Sequence, residues 1–239
     1  MKKIGYYGFP PREIIDYYKS KGYEFVDLDI DFSYKNTEIL PKTTCQIIKN
    51  IVTNAINKRD EIEKIIATTG KDKCDNGFFV ANILKELDFD VIFTENTNKN
   101  RKDTPISDSV LSLSKKIDLI MQGIVKKIDT SVYKKAYNPK FGFWGVPPND
   151  FSILDIFPDD TIVLGWVRAV EAEVPSDIEL EMYVPDGLKI VFFVQSFCSK
   201  SILAKYLAEK YNGLYIDLDR NATSSIKSKI EAFIRLNQW

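Results

Sequence analysis

Three cysteines and no histidine define the chemistry open to this 239-residue chain. Cys45 follows Leu40-Pro41-Lys42-Thr43-Thr44. Cys74 follows the apolar run Ile65-Ile66-Ala67-Thr68-Thr69 and a short polar loop. Cys198 follows Ile190-Val191-Phe192-Phe193-Val194-Gln195-Ser196-Phe197. Each stands where a strand is expected to hand over to a helix. In an α/β sheet those handovers gather along the carboxyl ends of the strands, where ligands bind. Thiolates distant in sequence can meet there, and three of them with no imidazole read as a metal or iron–sulfur site.

The local residues favour thiolate. Thr43 or Thr44 is placed to cap the helix carrying Cys45, Asp75 or Asn76 the helix after Cys74, and Ser196 or Ser199 the helix after Cys198. Helix N-termini stabilise negative charge, which favours the metal-binding form of a thiol. Their N–H groups also tune a bound cluster. Three thiolates leave one iron of a cubane without a cysteine, and that open iron can meet a substrate oxygen. Zinc fits less well, since structural zinc takes four ligands, often in Cys-x-x-Cys pairs, and the chain has neither such pairs nor histidine. The plainer alternative is three buried thiols acting as small hydrophobes. The missing histidine removes Ser-His-Asp, Cys-His and HExxH chemistry.

The elements that must position these residues alternate. Apolar patterning predicts strands over 4–7, 24–28, 64–68, 90–94, 141–144, 161–166, 189–194 and 214–218. Helices are predicted over 12–20, 44–57, 75–87, 108–127, 150–156, 199–211 and 224–236. Repeated strand–helix order implies α/β architecture with mostly parallel sheets. The polar run 96–105 and the break at Asn138-Pro139 divide the chain into an N-terminal lobe (1–105), a connecting helix and linker (106–139) and a C-terminal lobe (140–239). The lobes read as copies: Ile4-Gly5-Tyr6-Tyr7-Gly8-Phe9-Pro10-Pro11 is echoed by Phe141-Gly142-Phe143-Trp144-Gly145-Val146-Pro147-Pro148. A pseudo-twofold between them would set Cys74 opposite Cys198 across an interlobe cleft, with Cys45 lacking a counterpart.

Composition sets bounds. The formal net charge of −1 gives no reason to expect nucleic acid. No apolar run reaches membrane-spanning length, and the start Met1-Lys2-Lys3-Ile4 lacks the apolar stretch of a signal peptide. Few cysteines, odd in number, fit a reducing compartment, so the cytoplasm is expected. Arg168, Glu171 and Glu173 are expected at strand ends on the cleft side. Arg168 would bind a substrate carboxylate or phosphate, and a glutamate would act as acid, base or fourth cluster ligand. A surface ion pair is the plainer role for each. Ala67-Thr68-Thr69-Gly70-Lys71 lacks the full phosphate-loop pattern. The helix from Asp108 is expected to pack across the lobes.

The surroundings of the cysteines resemble the 2-hydroxyacyl-CoA dehydratase and benzoyl-CoA reductase family, in its cluster-carrying subunits. Ile4-Gly5-Tyr6-Tyr7 through Pro11-Arg12-Glu13-Ile14-Ile15 resembles the opening strand and helix start. Leu40-Pro41 with Cys45, Cys74-Asp75 and Phe197-Cys198 resemble the three cysteine segments. Tyr215-Ile216-Asp217-Leu218-Asp219 resembles the strand and acidic turn that follow. Ser228-Lys229-Ile230-Glu231-Ala232-Phe233-Ile234 resembles the closing helix, with Lys229 where arginine is usual. The resemblance implies two Rossmann-like (flavodoxin-like) lobes around a [4Fe–4S] cluster held by Cys45, Cys74 and Cys198. It also implies an ATP-hydrolysing iron–sulfur activator that delivers a low-potential electron, and a ketyl radical formed on a CoA thioester. The chain is far shorter than the family pattern, mainly between the lobes, so the substrate expected is a small molecule, acyl-CoA or another.

The reading is a cytoplasmic, anaerobic, cluster-dependent enzyme of dehydratase (lyase) or reductase (oxidoreductase) type, with a homodimer compatible. The alternative is a non-enzymatic electron-transfer or accessory protein. A third is a cluster-free relative or a zinc protein.

Overall fold

The computed structural model describes residues 2–71 and 73–238; Met1, Asp72 and Trp239 lie outside it. The chain forms two compact units, Met1–Asn98 and Lys99–Trp239. The first contains strands β1 (Lys3–Tyr7), β2 (Glu24–Asp27), β3 (Ile62–Thr68) and β4 (Val91–Thr94), with helices α1 (Arg12–Ser20), α2 (Gln46–Asn57) and α3 (Asp75–Glu86). The second contains α4 (Leu113–Gly123), β5 (Phe141–Gly145), a 3-10 turn (Phe151–Ile156), β6 (Ile162–Leu164), α5 (Trp166–Glu171) and α6 (Ile178–Met182). It ends with β7 (Lys189–Gln195), α7 (Ser201–Lys210), β8 (Leu214–Leu218) and α8 (Ser224–Leu236).

Each unit holds one four-stranded sheet, ordered β2-β1-β3-β4 in the first and β6-β5-β7-β8 in the second. Every pairing is parallel. The strands read as near-continuous apolar runs because both faces of a parallel sheet are covered. Strand β7 shows this. Ile190, Phe192 and Val194 belong to a cluster with Ala204, Leu207 and Ala208 of α7. Phe193, of opposite parity, stacks on Phe143 at 5.7 Å, and Phe143 meets Phe157 edge-on. In the first unit Ile4, Ile65 and Ile66 are fully buried, as are Val52, Ala55, Ala81 and Leu84 from the helices.

The expected fold class holds at the level of two all-parallel, Rossmann-like α/β units. The observed division falls after Asn98, and α4, within the segment read as a connector, packs in the second unit on α5, β6 and the 3-10 turn. Its cap is Ser112, whose hydroxyl accepts from the N–H of Lys115 at 3.4 Å, so the helix starts later than the apolar spacing suggests. The strand expected over 161–166 stops at Leu164. Gly165 adopts φ +70°, and a side chain there would come within 2.9 Å of Trp144 Nε1. The chain can therefore turn from β6 straight into α5 beneath the indole.

Candidate functional site

In each sheet the strand order reverses beside the first strand, between β1 and β3 and again between β5 and β7. The carboxyl ends at such a reversal form the crevice where open α/β sheets bind ligands. Cys74 follows β3 and Cys198 follows β7, the third strand of each unit. Cys45 precedes α2 in the first unit. All three are thiols rather than disulfide halves; Cys45 is buried, while Cys74 and Cys198 are half-buried.

The helix starts differ from the expected capping. Cys45 and Cys74 are themselves the N-cap residues of α2 and α3, with extended backbone and no side-chain cap bond. Their carbonyls accept from Lys49 at 3.1 Å and Gly77 at 2.9 Å. Cys198 lies in a turn, its N–H donating to the Gln195 carbonyl at 3.0 Å and its carbonyl accepting from Ser201 at 3.0 Å. Lys200, rather than Ser196 or Ser199, is the N-cap of α7. The preceding Phe197 has φ +64°, a left-handed conformation that bulky residues rarely adopt.

Around the first crevice the structure assembles polar groups not singled out in the sequence. Gly8 N–H donates to Asp29 Oδ2 at 2.7 Å, Asp29 N–H donates to Asp27 Oδ1 at 2.9 Å, and Tyr6 OH donates to Asp27 Oδ2 at 3.3 Å. Lys73 lies over Gly8 so closely that a β-carbon there would stand 2.4 Å from its Cε. Burial, followed by the charge of Asp29, pushes the Asp27 carboxyl up to about 7, against the pull of its hydrogen bonds and of Lys73. Tyr7 OH donates to the Gly77 carbonyl at 2.7 Å, tying β1 to the first turn of α3. The sequence signal was Asp27-Leu28-Asp29, two acids at the end of β2.

Around the second crevice Ser196 Oγ and Tyr215 OH both donate to Asp217, the tyrosine at 3.2 Å. Burial first, then the charge of Asp217, pushes the Tyr215 hydroxyl up to about 12, and the charge of Cys198 adds to this. Gly145, at the end of β5, lies so close to β7 that a β-carbon would stand 2.4 Å from the Phe193 carbonyl oxygen.

Arg168, Glu171 and Glu173 are on or just after α5 rather than at a strand end, because Gly165 starts a helix there. Arg168 Nη2 pairs with Asp108 at 2.9 Å. Glu171 accepts from the N–H groups of Ile106 at 2.7 Å and Ser107 at 2.8 Å, and from the Ser107 hydroxyl. Burial raises its carboxyl while those bonds oppose the rise. The side chain thus anchors residues 106–107. Glu173, at φ +59°, pairs with Lys102 at 2.8 Å.

The donor chemistry of the three cysteines suits an iron–sulfur cluster, with thiols at or beside helix starts. Among the described residues no group of three or more His, Cys, Asp or Glu is arranged to hold a metal ion. No helix among them is long and apolar enough to cross a membrane. No protein-family model matches the chain, and no curated protein matches it.

Proposed function

We propose that the chain is a reductive iron–sulfur enzyme related to the 2-hydroxyacyl-CoA dehydratases, with Cys45, Cys74 and Cys198 as ligands to a [4Fe–4S] cluster in a cleft between pseudo-twofold-related lobes. One observation carries the reading: Cys74 and Cys198 occupy the same station, after the third strand, in two sheets of identical order. Thiol placement of that kind is what a cluster shared by duplicated lobes requires. When bound, the cluster supplies one-electron transfer and an open iron for a substrate oxygen.

The chain's own residues would prepare this site. Cys45 and Cys74, as the N-cap residues of α2 and α3, would set a bound cluster beside the unpaired N–H groups of two helix starts. The cation of Lys73, adjacent to Cys74, offsets the negative charge that three thiolates bring. The reading includes an ATP-hydrolysing iron–sulfur activator as electron donor, a small-molecule substrate, acyl-CoA or another, and a cytoplasmic, anaerobic setting. A second reading, an electron-transfer or accessory protein, is favoured by the apolar surface beside the cysteines. Phe78 and Phe79 of α3 are exposed, as are Phe197 and Ile202 around Cys198, and such surface commonly meets a protein.

Anaerobic purification with iron and sulfide analysis and an electron-resonance spectrum tests the assignment. The expected result is about four irons per chain, with content reduced in Cys45→Ser, Cys74→Ser and Cys198→Ser alike. Full cluster content in all three single variants, or an iron-free chain after reconstitution, refutes it.

A further inference from the structure

A surface cavity of about 420 Å³ opens in the second unit, within the size range of small-molecule sites. Four of its lining side chains are cations, Arg101, Lys102, Lys135 and Arg168, against two carboxylates, Asp103 and Asp108. The cations are held from different directions. Arg101 is forked onto Asp177, and one of its nitrogens also reaches Glu179 at 3.2 Å. Lys102 is held by Glu173 at 2.8 Å. Arg168 is fixed by Asp108 at 2.9 Å and the Val163 carbonyl at 3.5 Å. Asp177, Glu179 and Glu173 stand outside the lining, so their pairing positions the cations without filling the cavity.

Lys135 is different. Its side chain is exposed, and among the described residues it forms no ion pair. Its backbone is fixed. Ser109 and Lys135 form an antiparallel bridge, Val110 N–H donates to Lys134 at 2.8 Å, and Ala136 N–H donates to Asp108 at 2.7 Å. This segment brings Lys135 and the Tyr133 side chain to the cavity. Pro105, Ala172 and Leu180 supply an apolar portion of the wall.

We propose that this cavity binds a small organic anion, its carboxylate or phosphate taken by Lys135 and Arg168 and its carbon skeleton lying against Pro105, Ala172 and Leu180. Arg168, held in place by Asp108 and Val163, costs little ordering entropy on binding and its fork matches either oxyanion, while Lys135 brings from a fixed backbone a charge unpaired among the described residues. The site lies within one unit and does not rest on the cluster reading.

Calorimetric titration of the full iron-free chain with inorganic phosphate and, separately, succinate tests it. The expected result is saturable one-site binding of at least one probe, weakened by added salt. Binding of phosphate alone assigns a phosphate ester, and of succinate alone a carboxylate; either supports the site. Lys135→Glu, at an exposed position, should weaken binding about tenfold through charge reversal. Lys85→Glu, on α3 of the first unit, should leave it unchanged and controls for net charge. Failure of both probes to bind, an unaltered affinity in Lys135→Glu, or an equal loss in Lys85→Glu overturns the proposal. Iron content plays no part in this readout, so it fails or stands separately from the cluster.

Discussion

Two buried titratable side chains oppose each other in their dependence on pH. The Asp27 carboxyl is raised to about 7, chiefly by burial. A raised acid binds its proton in the folded state over a range where the unfolded chain has lost it. Its contribution is therefore present in acid and lost as pH rises from about 4 through 7. Asp27→Asn should flatten that slope and stabilise the protein at pH 8. The gain is about 1–2 kcal/mol, below the full value of the shift because the half-buried Asp27 side chain is not wholly closed off from solvent. Urea unfolding at pH 5 and pH 8 measures it, and an unchanged slope would remove Asp27 from the account. Lys116 is fully buried, donates to the Thr161 carbonyl at 2.6 Å, and is lowered to about 8, above all by burial. A lowered base binds its proton less readily folded than unfolded, so stability should rise with pH between about 8 and 10. Lys116→Met should abolish that rise, and the same titration extended to pH 10 would show it. Neither residue was conspicuous in the sequence. A lysine in an amphipathic stretch reads as solvated, and only the tertiary fold reveals that its face is covered. The stations of Cys74 and Cys198 were legible at this scale because strand-to-helix handovers follow from apolar patterning; Cys45 instead ends a long loop that leaves β2 at Leu28. That Cys45 and Cys74 themselves occupy N-cap positions was not legible, since neighbouring Thr43, Thr44 and Asp75 have the better capping chemistry.

At the scale of elements, α2 departs most from its sequence reading. Its spacing is apolar on one side, yet Gln46, Asn50, Thr53 and Asn54 are all buried. They face the loop after β2 and satisfy its backbone. Asn54 Nδ2 donates to the carbonyls of Leu28 at 2.9 Å and Ile30 at 2.7 Å and Asn50 Nδ2 to that of Asp29 at 3.0 Å, Thr53 Oγ1 accepts from the Thr37 N–H at 3.3 Å, and Gln46 Nε2 donates to the side-chain Oδ1 of Asn36 at 2.9 Å. The helix is therefore a scaffold for the loop that carries Asp29 to Gly8. Asn54→Ala would strand two backbone carbonyls and should cost about 1–3 kcal/mol. It should also loosen residues 28–37, measured as faster amide exchange there; protection equal to the parent chain would deny the scaffold role. Periodicity misses such a face because it scores polar residues as exposed. The same limit hid α5: the apolar run around Gly165 reads as one strand, and only the positive φ of Gly165 shows where the chain turns. A single strand there puts Arg168 and Glu171 at a strand end, whereas on a helix they meet residues 106–108.

At the scale of the molecule, two parallel α/β lobes were legible, because each parallel strand is a short apolar run and each opening carries the Gly-aromatic-aromatic-Gly echo; the strand order within each sheet is set by long-range pairing and emerges only in the fold. The boundary was less so. Residues 96–105 are uniformly polar, and nothing local tells that Arg101 is tied to Asp177, 76 positions later. Each unit buries its own sheet on its own helices, so each should unfold as its own cooperative body when no cluster spans them. Ile66 of β3 and Phe192 of β7 are both fully buried, and truncating either to alanine costs about 2–5 kcal/mol. In the iron-free chain, Ile66→Ala should lower only the transition of the first unit and Phe192→Ala only that of the second. Trp144 and Trp166 in the second unit and exchange at amides of β3 in the first distinguish the two. A cluster bound by cysteines from both units adds its binding free energy to both folded states. Loading with iron should then merge the transitions, and each core variant should shift the merged one. If the two variants already move a single common transition in the iron-free chain, the units are one cooperative body and the cluster is not what joins them.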